Sequence, residues 1–243
     1  RVFFCNSGTE SWEAAMKFCR KWGNTTHAKP KNRLIAFNNS FHGRTYGSIS
    51  TTGQPKYHKG FEPLLPSVDF AEFNDLASVE ALVTDETCAI LVEPLQAEGG
   101  IHVGTPDFLE GLRALCDERE MLLVFDEVQV GCGRTGSLWA YEQYGVEPDI
   151  MTLAKALGGG LPIGVALMGQ HVADAIAAGD HAATFGANPV ACAAAVVVFN
   201  KLVEEGFVES VKEKGQYLAG RLQKLQERFP GKISGVRGRG LIV

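Results

Sequence analysis

Along the chain, short runs of aliphatic and β-branched residues alternate with longer stretches in which apolar residues return every three or four positions, from Arg1 to about Phe199. That alternation predicts βαβ units, and hence an α/β fold with a mainly parallel central sheet and helices on both faces. The runs expected as strands are Val2 to Cys5, Arg33 to Asn38, Cys88 to Glu93, Met121 to Asp126, Ile150 to Ala154 and Ile163 to Met168. Polar or glycine turns bound each of them.

The helical stretches carry their own start signals. Ser7 followed by Glu10 has capping-box spacing, and Trp12, Ala15, Met16, Cys19 and Trp22 then recur on one helical face. Thr105 with Pro106 at the first helical position opens another helix, whose inner face is Phe108, Leu109, Leu112, Leu115 and Cys116. The stretch after Pro189 is apolar nearly all round, which predicts a helix buried on several sides and ended by Gly206. Beyond it, Val211, Leu218, Leu222, Leu225 and Phe229 form one stripe on a strongly charged helix. This change of texture predicts a large domain over residues 1–203 and the start of a smaller one over 204–243. The strand-like ends, Arg1 to Cys5 and Gly240 to Val243, give the expectation of a piece of a longer chain.

Composition narrows the classes. With 45% hydrophobic and 21% charged residues the chain can bury a core, so neither a disordered nor a fibrous protein is expected. A net charge of -5 argues against general affinity for nucleic acid or anionic membrane. No apolar run reaches the roughly 20 residues of a membrane span. The six cysteines never form CxxC and the six histidines show no close ligand spacing, so free thiols in a reducing compartment and no protein-bound metal are expected.

The chemistry concentrates where strands end. Asp126 closes a hydrophobic strand, where an ionised carboxylate is costly unless it meets a cation or several donors. In open α/β sheets the carboxyl ends of strands are also where ligands bind. Four apolar residues before Asp-Glu would suit the magnesium strand of a P-loop ATPase, but GxxxxGK followed by Ser or Thr is absent; a plain helix cap is the other alternative for Asp126. Gly131 to Gly136 spells GxGxxG, yet it neither follows a strand directly nor opens a helix, so it reads as a glycine turn. Lys155 follows a strand and precedes Gly158, Gly159 and Gly160, which lets its amine reach the cleft of Asp126. Ser7, Gly8 and Thr9 at a helix start offer an anion seat or merely a capping box. Phe41 and Arg44 share a loop after the strand ending at Asn38; as a core aromatic and a surface charge they would carry no chemistry.

Taken in order, these segments resemble the class III pyridoxal-phosphate aminotransferases of fold type I. The carriers are Asn6 to Glu10, Phe41 to Thr45, Glu93 to Gly100, Phe125 to Gln129, Gly133 to Gly136, Ala154 to Gly160 and Thr184 to Pro189, spread over the whole chain. Thr52 to Tyr57 with Gly60 to Pro63 most resemble the branch that works on N-acylated ornithines. The resemblance implies a catalytic large domain with a mixed, mainly parallel sheet and the start of a small C-terminal α+β domain. It also implies a cytoplasmic enzyme, with mitochondrion or plastid as the alternative.

By the same resemblance the cofactor is pyridoxal 5'-phosphate. Lys155 is implied as the lysine that bonds to its aldehyde and later moves the substrate proton, and Asp126 as the partner of its pyridine nitrogen. Gln129 is implied at the phenolic oxygen, Phe41 on the ring face, Gly8 and Thr9 at the phosphate, and Glu127 and Val128 alongside. Thr184 is implied to reach the phosphate of a neighbouring subunit, which makes the expected assembly a homodimer. Arg44 would grip a substrate carboxylate and Glu98 would gate a second arginine outside this chain. The implied substrates are an amino donor and 2-oxoglutarate. Succinylornithine, ornithine and 4-aminobutyrate stay open beside acetylornithine as donors, as does a homologue that binds cofactor without catalysis. The sequence departs from the family pattern at Ala183, where Ser or Thr is usual in a substrate-contact position, at Gln96-Ala97-Glu98 and at Ser11-Trp12.

Overall fold

A computed structural model describes residues 1–243. In chain order the elements are β1 (Val2–Cys5), α1 (Gly8–Thr26), β2 (Arg33–Phe37), α2 (Tyr46–Ser50), β3 (Val68–Ala71), α3 (Leu76–Glu80), β4 (Thr87–Val92), β5 (Leu95–Gln96), β6 (His102–Val103) and α4 (Pro106–Glu118). Then follow β7 (Leu122–Asp126), β8 (Ile150–Leu153), β9 (Gly164–Met168), α5 (Gln170–Ala173), α6 (Pro189–Leu202) and α7 (Phe207–Arg228). Seven strands form one sheet in the order β1-β9-β8-β7-β4-β2-β3. The pairs from β8 through β7, β4 and β2 to β3 are parallel, while β9 is antiparallel to both β8 and β1. The sheet is therefore mixed and mainly parallel, and β9 alone runs against the rest.

Alternation along the central strands decides which helix covers which face. Leu34, Ala89, Leu91, Leu122 and Val124 pack with Trp12, Ala15, Met16 and Cys19 of α1. Their neighbours Ile35, Ile90, Val92, Leu123 and Phe125 point the other way, onto Phe108, Leu109, Leu112 and Cys116 of α4. Strands buried on both faces read as continuous apolar runs, which is why β4 and β7 stand out in the sequence. The Thr105 cap accepts from the Phe108 amide at 3.3 Å with Pro106 inside the first turn. No helix is long and apolar enough to cross a membrane.

Three expectations need correction. The edge strand β3 has no counterpart among the expected runs: it is four residues long and carries Asp69, which pairs with Arg33 at 2.6 Å. Gly206 does not end α6; that helix stops at Leu202, and Gly206, with φ of 79°, is the left-handed residue that opens α7. Nor is α6 buried on several sides within this chain, since only Ala191, Ala195 and Leu202 are buried while Val190, Val196, Val197 and Phe199 are exposed. On α7 the apolar stripe buries only Val211, with Leu218, Leu225 and Phe229 open to solvent.

Candidate active site

Because β1, β2, β7 and β8 run the same way, their carboxyl ends share one edge of the sheet, and the residues that follow them converge there. Asp126 ends β7 at 5% exposure. Three donors hold its carboxylate. His42 Nδ1 lies 2.7 Å from Oδ2, and Oδ1 accepts from the Val128 amide at 3.0 Å and from Thr152 Oγ1 of β8 at 3.2 Å. This satisfies the demand that a buried carboxylate be paired with donors.

The chain leaving β1 turns at Ser7 into the 19-residue α1, with Ser7 Oγ accepting the Glu10 amide at 3.3 Å. The amides of its first turn and the helix dipole favour an anion there. Gly8 lets this turn approach Val128 closely: a Cβ at this position would stand 2.6 Å from Val128 Cγ1. Thr9 Oγ1 is tied to Thr45 Oγ1 and Ser48 Oγ, each at 2.8 Å, which pins the start of α2, just after the Phe41–Arg44 loop, onto α1.

Lys155, two residues past β8, takes the left-handed conformation at φ of 45°, a costly choice for a side-chain-bearing residue. Its Nζ donates to Gln129 Oε1 at 2.6 Å, leaving the amide end of Gln129 as a donor. Burial lowers the pKa of the amine, against the opposing pull of Asp126, Glu98 and Glu93. Glu93, buried, accepts the Phe41 amide at 3.1 Å; burial first and the Asp126 charge second push its carboxyl well above the usual range.

Gly8, Thr9, Phe41, Asp126, Val128, Gln129 and Lys155 thus line one cavity of about 390 Å³, with His42 and Glu93 in the same wall. Glu98 lines an adjoining recess of about 590 Å³ that shares Val128, Gln129 and Lys155. The structure does not bring the other expected residues to the cavity. Glu127 turns away from it: its carboxylate accepts the Ala140 and Tyr141 amides at 2.7 and 2.8 Å, and burial pushes its pKa up to about 7. Arg44 rests over Tyr57, 4.0 Å from the ring centroid. Ala183 and Thr184 line a separate pocket with Phe3, Glu13 and His181.

His42 and Glu93 are wall residues that the sequence pattern did not single out. Neither carries a local mark. The bond from His42 to Asp126 spans 84 positions and exists only once the sheet has formed.

The family profile for aminotransferase class III matches residues 1–243. The chain belongs to the class III aminotransferases. Among relatives of this family, the acetylornithine aminotransferase of Caldanaerobacter subterraneus subsp. tengcongensis is 48% identical over 243 residues, all of this chain and 61% of that protein. The succinylornithine transaminase of Yersinia pseudotuberculosis serotype O:1b is 47% identical over 249 residues, again all of this chain and 60% of that protein. Among solved structures, the ornithine aminotransferase of Toxoplasma gondii, described with partial occupancy of PLP at its active site, superposes with a TM-score of 0.89 at 34% identity. That match covers 99% of this chain and 57% of the other. The class III chain described here therefore spans about six-tenths of the length of these relatives.

Proposed function

We propose that this chain is the catalytic part of a pyridoxal-phosphate aminotransferase that moves the terminal amino group of N2-acetylornithine to 2-oxoglutarate. The observation that carries the reading is the convergence of a buried carboxylate, a lysine amine and a helix N-terminus on one cavity, in a class III chain 48% identical to an acetylornithine aminotransferase.

The cavity fits the cofactor on its own features. Its volume lies within the range of small-molecule sites. The missing Cβ of Gly8 lets the first turn of α1 pack against Val128 at the cavity wall, and the Asp126 carboxylate suits a protonated ring nitrogen. When bound, pyridoxal phosphate supplies an aldehyde that condenses with amines and a ring that accepts electrons. The remaining tasks fall to the protein. Asp126 would hold a proton at the pyridine nitrogen. The amides at the start of α1 would hold the phosphate, Phe41 and Val128 would contact the ring, and the Gln129 amide would donate to the phenolic oxygen. Lys155 Nζ, whose neutral form is favoured by burial, would be the nucleophile for the aldehyde and would carry the substrate proton.

In this reading Arg44 grips a substrate carboxylate from its place over Tyr57, and Glu98 gates the recess beside Lys155. The proposed assembly is a homodimer in which Thr184 serves the partner's cofactor. Its exposed place outside this chain's own cavity, beside Phe185 at 69% exposure, supports that assignment. The large and small domains would meet in the turn between α6 and α7, and the enzyme would work in the cytoplasm. Rates of the full protein with acetylornithine, succinylornithine, ornithine and 4-aminobutyrate test the choice of donor: acetylornithine should lead, and a clear preference for 4-aminobutyrate would overturn it.

A further inference from the structure

Behind the cavity floor two aromatic rings lie face to face. The indole of Trp12 and the imidazole of His42 have centroids 3.8 Å apart and planes 10° from parallel, and both side chains are buried. The imidazole makes one hydrogen bond, from Nδ1 to Asp126 Oδ2 at 2.7 Å, while its Nε2 is buried without a partner.

One hydrogen bond fixes a single ring atom and leaves the tilt of the ring open, because the χ2 torsion of histidine is broad. The main chain is anchored, since the His42 amide donates to Thr52 Oγ1 at 2.9 Å, but that does not set the plane. The indole does. Trp12 sits wholly inside the core that α1 shares with the sheet, and its Nε1 donates to Thr51 Oγ1 at 2.8 Å. Thr51 is bonded in turn within α2, to the Gly47 and Ser48 carbonyls at 3.3 and 3.2 Å. The rigid face pressed on His42 is therefore held from both helices. Trp12 is also one of the positions at which the sequence departs from its family pattern.

We infer that Trp12 is a positioning residue for the cofactor site: its stacked face sets the plane of His42, and His42 in that plane holds the Asp126 carboxylate toward the cavity. This rests on the cofactor reading given above and deepens it. A tryptophan that only filled the core would contribute volume, and any apolar residue of similar bulk would serve.

Trp12→Phe and Trp12→Leu in the full protein separate the two. Both lose volume and the bond to Thr51, and urea unfolding reports that shared loss. Only phenylalanine keeps a flat face. In cofactor-free protein with nitrogen-15 labelled histidine, and the His42 signal assigned with His42→Gln, wild type and Trp12→Phe should retain the protected Nδ1 proton, while Trp12→Leu should lose it. Titration with pyridoxal phosphate should show affinity weakened about tenfold by Trp12→Leu and within about twofold of wild type for Trp12→Phe. Should Trp12→Leu fail to fold, Trp12→Met, unbranched and without a face, takes its place. A retained signal and affinity in the leucine or methionine variant, or an equal loss in the phenylalanine variant, would overturn the inference. A wild-type protein that binds no pyridoxal phosphate would instead refute the cofactor reading, and the His42 signal of the cofactor-free protein would still decide the role of Trp12.

Discussion

Asp126→Asn changes one atom and exposes the logic of the site. The carboxylate accepts from His42 Nδ1, the Val128 amide and Thr152 Oγ1, at 2.7, 3.0 and 3.2 Å. An asparagine has one oxygen and one NH2 group for the two positions. If the NH2 faces His42, the imidazole must move its proton to Nε2, which is buried with no acceptor. If it faces the other pair, Thr152 can rotate its hydroxyl, but the Val128 N–H loses its only side-chain acceptor. Either way one buried donor is orphaned, at a cost of about 1–3 kcal/mol. Urea unfolding of the cofactor-free full protein should therefore show a loss of that size. A titration with pyridoxal phosphate should show a larger fall in affinity, because a neutral amide cannot pair with a protonated pyridine nitrogen. Unchanged or increased stability would refute the three-donor account of Asp126, and unchanged affinity would refute its placement at the ring nitrogen.

Other outcomes follow from the same geometry. Gly8→Ala, whose Cβ would lie 2.6 Å from Val128 Cγ1, should cost about 1–3 kcal/mol and weaken cofactor binding; adding Val128→Ala should recover much of the stability, and no recovery would show that the clash lies elsewhere. Glu127→Gln should lower stability at pH 8 by about 1–3 kcal/mol, since one of the Ala140 and Tyr141 amides loses its acceptor, yet leave cofactor affinity unchanged. A fall in affinity without a fall in stability would return Glu127 to the site. The lowered pKa of Lys155 places the rise of cofactor uptake with pH below the usual lysine value of 10.5, because the neutral amine is the reactive form. The Glu98 charge favours the ammonium, so Glu98→Gln should move the midpoint of that rise to lower pH; stopped-flow uptake at a series of pH values reads it, and an upward shift would contradict the assignment.

Much of this was legible in the sequence because the decisive residues stand at strand ends. A carboxylate closing the run Leu122 to Phe125, and a lysine just past Ile150 to Leu153, are local patterns, and parallel pairing of β7 with β8 sets them side by side. What stayed hidden depends on pairing or packing across long separations. The strand β3 is short, lies at the sheet edge and is interrupted by Asp69, which pairs with Arg33 on the neighbouring strand. Glu127 looks like Asp126 in sequence, but successive strand-end side chains point to opposite sides, and only the fold shows that it serves the Ala140–Tyr141 turn. The open face of α6 is the reverse case: its apolar pattern predicts burial on several sides, which this chain alone does not supply.

Lys155 is proposed as the residue that captures pyridoxal phosphate in the cavity floored by Asp126. Borohydride reduction of the full protein loaded with pyridoxal phosphate, followed by digestion and peptide mass mapping, tests it directly. A single modified peptide should appear with the cofactor on Lys155, and none in Lys155→Ala. A cofactor fixed on another lysine, or no fixation in a folded protein, would contradict the assignment.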